Sequence, residues 1–300
     1  MILIEAPSNL GLIEPKPGVE PGVKFFPDAM EREGFARLSG LRQKIRINAP
    51  AYSMVVDEET KVRNSDKIID YSRELAKALD EHVQRKNSAI VLGGDCSILI
   101  GAALSLKRNG NYGLFFLDGH TDYVLPEQSG TAGAAGMDLA IVTGNGHIKL
   151  TNMEGVTPYI KEENVFCVGN REISTGWYVQ AIVDSDIHYY DLFTLRSQSS
   201  LAVVTNFLQL VASRELDGFW VHFDVDVLSN DIMPCVDSPQ EDGLSYDEVE
   251  QILDPLIRSP HFRGIDVTIF DPTLDKDGIY GKQFAKEFAQ ILNRISVEQS

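Results

Sequence analysis

Three short acidic segments carry the residue types that chemistry needs. They are Leu92-Gly-Gly-Asp-Cys-Ser97, Phe116-Leu-Asp-Gly-His-Thr-Asp122 and His222-Phe-Asp-Val-Asp226. In the second, Asp118, His120 and Asp122 are spaced by two, and in the third so are Asp224 and Asp226. Side chains at i, i+2 and i+4 of extended backbone point to one side. If the two segments neighbour each other, four carboxylates and an imidazole converge in one crevice. Ionised carboxylates cannot share such a space without a compensating charge. A divalent metal supplies it, and carboxylate oxygen with imidazole is a manganese-type or zinc-type ligand set. Enough oxygens exist to bridge two ions about 3.5–4 Å apart. Alone, an Asp-x-Asp at a strand end is a turn or a helix cap. The Asp-x-His-x-Asp in the same chain moves the reading to metal.

Each acidic segment closes an apolar run. Such runs recur at Ile2 to Ile4, Ala89 to Leu92, Gly113 to Leu117, Val165 to Val168, His188 to Tyr190, Phe219 to Phe223 and Ile265 to Phe270. Most are continuously apolar, which suits strands buried on both faces. Helical patterns lie between them. Ser65 to Val83 places Ile68, Ile69, Leu75, Leu79 and Val83 near one face, and Ser97 to Lys107 opens directly out of a strand. Ser245-Tyr-Asp-Glu248 is a capping box ahead of Val249, Ile252, Leu253 and Leu256, and Gln283 to Ile295 predicts a C-terminal helix. The alternation predicts an α/β fold on a mainly parallel sheet. With no internal repeat and no Pro/Ser linker, residues 1–300 read as one domain. The long segments Asp122 to Gly146 and Leu228 to Gly243 follow strand ends, where ligands bind in open α/β sheets.

Composition excludes several classes. Lys and Arg number 27 against 44 Asp and Glu, so the net charge is 27 − 44 = −17, which argues against nucleic acid as a partner. Apolar residues at 43% supply a core and exclude a disordered chain. No apolar run is long enough for a membrane span. The three cysteines, Cys96, Cys167 and Cys235, are too few and odd in number for a disulfide framework and suit a reducing cytosol. The start, MILIEAPSNLG, has no basic stretch ahead of an apolar one, so no signal peptide is read and a cytoplasmic location is expected.

The three acidic segments also resemble, in order and approximate spacing, those of the ureohydrolase superfamily: arginases, agmatinases and formimidoylglutamases. That pattern reads GGDHS, D-A-H-x-D and S-x-D-x-D. Here it stands as GGDCS at Gly93 to Ser97, DGHTD at Asp118 to Asp122 and HFDVD at His222 to Asp226. Gly18-Val19 with Pro21-Gly22, Gly169-Asn-Arg-Glu172 and Gly264 to Pro272 are similar to further arginase segments, so the likeness covers nearly the whole chain. The resemblance implies a three-layer α/β/α fold with a roughly eight-stranded sheet, a dinuclear manganese site and assembly into homotrimers or hexamers. It implies that Asp118 and Asp224 bridge two ions, that His120 and Asp226 bind one, and that Asp122 and Cys96 bind the other. In the family a metal-bridging hydroxide attacks the guanidinium carbon, which makes Asp118, His120 and Asp224 the expected catalytic centre. His147, in a Gly-rich loop, is a candidate proton shuttle.

Four departures bear on the substrate. Cys96 stands where the pattern has a histidine ligand, and a thiolate is softer and adds negative charge. This could favour Zn2+ or Fe2+ at that ion, or leave one of the two positions empty. A hydroxyarginine-hydrolysing branch is similar in carrying cysteine there. Ile269 stands where the family has the glutamate that receives the substrate guanidinium, leaving Thr268 and Asp271 as the nearest polar replacements. Ala135 stands for the arginase loop histidine, and Ser174 for an aspartate near the substrate's α-amino group. His222 stands where serine is common, and alternation turns it towards the metal side, behind the ligands. These changes predict a hydrolase of a linear amidine or modified guanidine other than arginine. The alternative is a catalytically retired arginase-like chain kept for structure or regulation in an oligomer.

Overall fold

The computed structural model describes residues 1–172 and 176–297. Its strands are β1 (Ile2–Ala6), β2 (Lys44–Arg46), β3 (Ala89–Gly93), β4 (Tyr112–Leu117), β5 (Val165–Val168), β6 (His188–Tyr190), β7 (Gly218–Asp224) and β8 (Phe262–Thr268). They form an 8-stranded sheet in the order β2-β1-β3-β8-β7-β4-β5-β6, and every ladder is parallel. Burial on both faces explains the continuous apolar runs. Leu3, Ile90, Leu92, Leu117, Val221 and Phe223 pack one face against Phe207, Ile252 and Phe288 of the helices Ser200–Ser213, Tyr246–Arg258 and Ile279–Val297. Their neighbours Ile4, Val91, Leu114, Phe116 and Trp220 pack the other face against Leu75, Leu79 and Leu99 of the helices Ser65–Gln84 and Ile98–Asn109. This is the parallel α/β fold that the alternation predicts, in the three-layer form that the resemblance implies. No helix among the described residues is long and apolar enough to cross a membrane.

Strand β2 is absent from the sequence reading for a physical reason. Its three residues are all exposed, so no apolar pattern marks it. Lys44 and Arg46 instead reach the buried carboxylate of Glu5 on the neighbouring β1, at 3.1 and 3.4 Å. Two cations on a short edge strand also discourage pairing with another chain. The C-terminal helix begins at Ile279, four residues before Gln283. There Asp275 accepts hydrogen bonds from the backbone N–H groups of Ile279 and Gly281.

The capping box forms as read. Ser245 Oγ accepts from the Glu248 N–H at 3.2 Å, and Glu248 Oε2 accepts from the Ser245 N–H at 2.8 Å. Ser245→Ala leaves one helix donor without its side-chain partner and should cost about 1 kcal/mol of unfolding free energy in a urea titration. An unchanged midpoint would contradict this.

Candidate metal centre

Strand register places the acidic segments together. The β4–β7 ladder pairs Phe116 with His222 and Leu117 with Phe223, so Asp118 lies beside Asp224 where both strands end. β8 lies on the other side of β7 and pairs Asp266 with His222 and Thr268 with Asp224. Cys96 follows β3 at the start of the helix Ile98–Asn109. Gly94 is needed there, because a Cβ would sit 1.7 Å from the Ser8 carbonyl oxygen. Gly119 likewise leaves room for Asp226 Oδ1, 2.7 Å from where its Cβ would be.

Short local hydrogen bonds aim the carboxylates. Asp118 Oδ1 accepts from the His120 N–H at 2.6 Å, and Asp224 Oδ1 accepts from the Asp226 N–H at 2.8 Å. His120 Nδ1 lies 2.9 Å from Asp226 Oδ2. Cys96 Sγ lies 2.8 Å from Asp224 Oδ2, and the Thr268 hydroxyl is 3.4 Å from each. Two sets of donor atoms result, each within 4.8 Å of one another: Cys96, Asp118, His222 and Asp224, and Asp118, His120 and Asp226. Asp118 belongs to both. Its Oδ2 is buried and has no hydrogen-bond partner. An orphaned carboxylate oxygen among further acids is the arrangement a cation completes, so these residues fit a divalent metal.

The electrostatics show the same need. Burial, then Asp226 and Asp118, push the Asp224 carboxyl well above the usual carboxylate range. Burial, then Asp118, Asp138 and Asp224, do the same to Asp122. Burial resists charging His120, yet Asp226 and Asp118 outweigh it and raise the imidazole to about 10. Burial and then the Asp224 charge hold Cys96 well above the ordinary thiol range. A bound cation reverses this logic, because it stabilises each donor in its deprotonated form.

Next to these donors is a cavity of about 230 Å³. Gly11, Leu12 and Ile13 line it from the N-terminal loop, and Thr131, Ala135, Asp237 and Ser238 from the two long loops. Asp122, Glu172, Asp224, Asp226 and Ile269 also face it, and no lysine or arginine does among the described residues. Asp122 therefore reaches the cavity, but it belongs to neither donor set.

Three candidates are placed elsewhere. His147 caps the short helix Ile148–Thr151, where Nδ1 accepts from the Lys149 N–H at 3.3 Å, and it is not among the cavity-lining residues. Asp271 is occupied by a turn, accepting from the Gly22 and Thr273 N–H groups and the Thr273 hydroxyl. Thr268 is wholly buried, beside Cys96 and Asp224 and outside the cavity lining. The reason lies between the last two. Ile269 has φ 75°, which turns its side chain into the cavity wall at the point where β8 ends. Ser174 lies outside the described residues.

Sequence reasoning missed Asp138, Asp237 and the use of Asp266. Asp138 is wholly buried, and its Oδ2 has no hydrogen-bond partner. Its only signal was a carboxylate opening the apolar run Leu139 to Val142. Arg171 belongs to the arginase-like segment Gly169-Asn-Arg-Glu172. It donates to the Asp226 and Val227 carbonyls at 2.6 and 2.9 Å and to Gln240 Oε1 at 3.1 Å. It thereby clamps the loop that carries Asp226. Arg171→Met should weaken metal binding about tenfold in a chelator competition, as loss of a residue supporting a ligand usually does. An unaltered affinity would show that the loop holds itself.

Comparison with known proteins agrees with this geometry. The arginase family model matches residues 6–293. An arginase of Staphylococcus aureus is 29% identical over 289 residues, covering 94% of this chain and 93% of the relative. One from Bacillus subtilis is 30% identical over 239 residues, covering 79% of each. The crystal structure of an arginase from Bacillus caldovelox superposes with a TM-score of 0.85 at 25% identity, covering 97% of both chains. A family match spanning nearly the whole chain, on the sheet order and strand-end acids described above, establishes that the chain belongs to the arginase family.

Proposed function

We propose that this arginase-family protein is a metal-dependent hydrolase that cleaves a carbon–nitrogen bond of a linear amidine or modified guanidine other than arginine. The observation that carries the reading is the pair of donor sets joined at Asp118, open on one side to an acidic cavity. Asp118, His120, Asp224 and Asp226, with Cys96, would hold two ions. Manganese is the expected metal, with zinc or ferrous iron as alternatives at the thiol. A divalent ion bound here supplies Lewis acidity and activates a nucleophile at neutral pH.

The chain's own residues do the rest. His120, partly exposed, lines the cavity beside Cys96, Asp224 and Asp226. Asp122, Glu172 and Asp237 surround the cavity with carboxyl groups, which suits a cationic or hydrogen-bond-donating substrate. Ile269 sets the limit on that substrate. A guanidinium buried against it would lack a carboxylate partner and lose several kcal/mol. An amidine or guanidine bearing a group that packs on an apolar wall avoids this loss. Assembly into a homotrimer or hexamer is part of the same reading and is checked by light scattering.

The test is urea or ammonia release from a panel of amidines and substituted guanidines, using manganese-loaded full-length protein. The reading expects turnover of at least one panel member above that of arginine, abolished in Asp224→Asn. Arginine as the best substrate would overturn the specificity. Inactivity across the panel, with a metal-loaded site, would overturn the enzyme reading in favour of a structural or regulatory role.

A further inference from the structure

His222 departs from the family pattern, and its surroundings are those of a ligand. It is wholly buried, and its ring stacks on Phe116 with centroids 4.5 Å apart and planes at 18°. Nδ1 meets Asp266 Oδ2, while Asp266 Oδ1 accepts from Trp220 Nε1. Asp266 is therefore held at both oxygens, and the imidazole has one orientation. With Nδ1–H donated to Asp266, Nε2 faces Asp118 Oδ2 and has no hydrogen-bond partner, so in the neutral ring its lone pair is free for a cation. A carboxylate behind one ring nitrogen and open donor capacity at the other is how metal-binding histidines are oriented.

Distance supports the same conclusion. Nε2 lies 3.6 Å from Asp118 Oδ2, and both atoms lack hydrogen-bond partners. That gap is too long for a hydrogen bond. It falls within the ligand–ligand edge of a tetrahedron, roughly 3.3–3.8 Å for donors about 2.0–2.3 Å from an ion. Cys96, Asp118, His222 and Asp224 are all buried, and their donors lie within 4.8 Å of one another. The Cys96 thiol points at Asp224 Oδ2, so its proton is the one that an entering cation displaces.

We infer that His222 Nε2 is a metal ligand in this chain, completing with Cys96, Asp118 and Asp224 a closed four-donor site of zinc type. It takes the place that Asp122 holds in the family pattern. One sulfur, one imidazole and two carboxylates suit tetrahedral zinc better than manganese. Asp118, His120 and Asp226 then form the second site, which with three donors keeps open positions. His120 and Asp226 line the cavity, as do Cys96 and Asp224 of the first. The inference rests on the proposal that the acidic cluster binds metal.

The experiment is a cobalt titration of metal-stripped full-length protein, with metal content by mass spectrometry. Wild type should show a thiolate-to-cobalt charge-transfer band with intense visible bands of tetrahedral cobalt. His222→Ala should lose these bands and fall from about two ions per chain to about one. Asp122→Asn should keep them, and because Asp122 is not in the donor set this arm stands even if His222→Ala does not fold. Retention of the band in folded His222→Ala, or its loss in Asp122→Asn, would overturn the inference and restore the family's ligand set. A wild-type protein that binds no ion would instead overturn the metal reading on which the inference rests.

Discussion

Asp118→Asn should remove metal binding almost completely, with an affinity loss above about a hundredfold. Asp118 is the residue common to both donor sets, and it is wholly buried. Its Oδ2 has no hydrogen-bond partner, so the carboxylate charge is directed at the cation position. Asparagine keeps the shape and the hydrogen bond from the His120 N–H but presents no charge. At a free metal concentration of about one hundred times the wild-type dissociation constant, binding stabilises the native protein by about 2.7 kcal/mol. The variant should lose that increment, read as a metal-dependent rise in melting temperature that wild type shows and Asp118→Asn does not. An equal rise in both would mean that the ion binds elsewhere.

Ile269→Glu should convert the substrate preference. Isoleucine forms part of the cavity wall while its own N–H donates to the Gly94 carbonyl at 2.8 Å. Its φ of 75° is costly for a β-branched residue, on the order of 1–3 kcal/mol. The backbone hydrogen bond and the packed strand end hold it there, and an unbranched Cβ is less strained in the same conformation. Glutamate would place a carboxylate where the family pattern has one. The gain should be at least about tenfold in arginine or agmatine turnover, because a paired guanidinium avoids a desolvation loss of several kcal/mol. Turnover of bulkier, N-substituted amidines should fall. If arginine turnover stays at the wild-type level while the variant still binds metal, the apolar wall is not what sets specificity.

Much of the site was legible because its acids cluster at the ends of two apolar runs that become neighbouring strands. Asp118 follows β4 directly and Asp224 ends β7, so parallel pairing of these adjacent strands brings them together. His120 and Asp226 lie past the strands, in a bend and a 3-10 turn. They are oriented by the Asp118–His120 and Asp224–Asp226 backbone hydrogen bonds rather than by strand alternation. Cys96 was legible because a strand runs straight into a helix there. Asp138, Glu172 and Asp237 come from loops and a short helix, where sequence spacing carries no information about direction. The Gly-rich setting of His147 suggested the crevice, but its ring is used as a helix cap. Thr268 and Asp271 were chosen as polar neighbours of Ile269, and the left-handed backbone at Ile269 separates it from both. The role of Asp266 was hidden for another reason. It sits in an apolar strand and shows its meaning only across the ladder, where it faces His222 and Trp220.

On the proposed function, the strand-end acids form a metal centre. Its most direct test is metal content by mass spectrometry, on protein as purified and after incubation with manganese and with zinc followed by desalting. About two ions per chain are expected after loading. No retained ion under any of these conditions would contradict it.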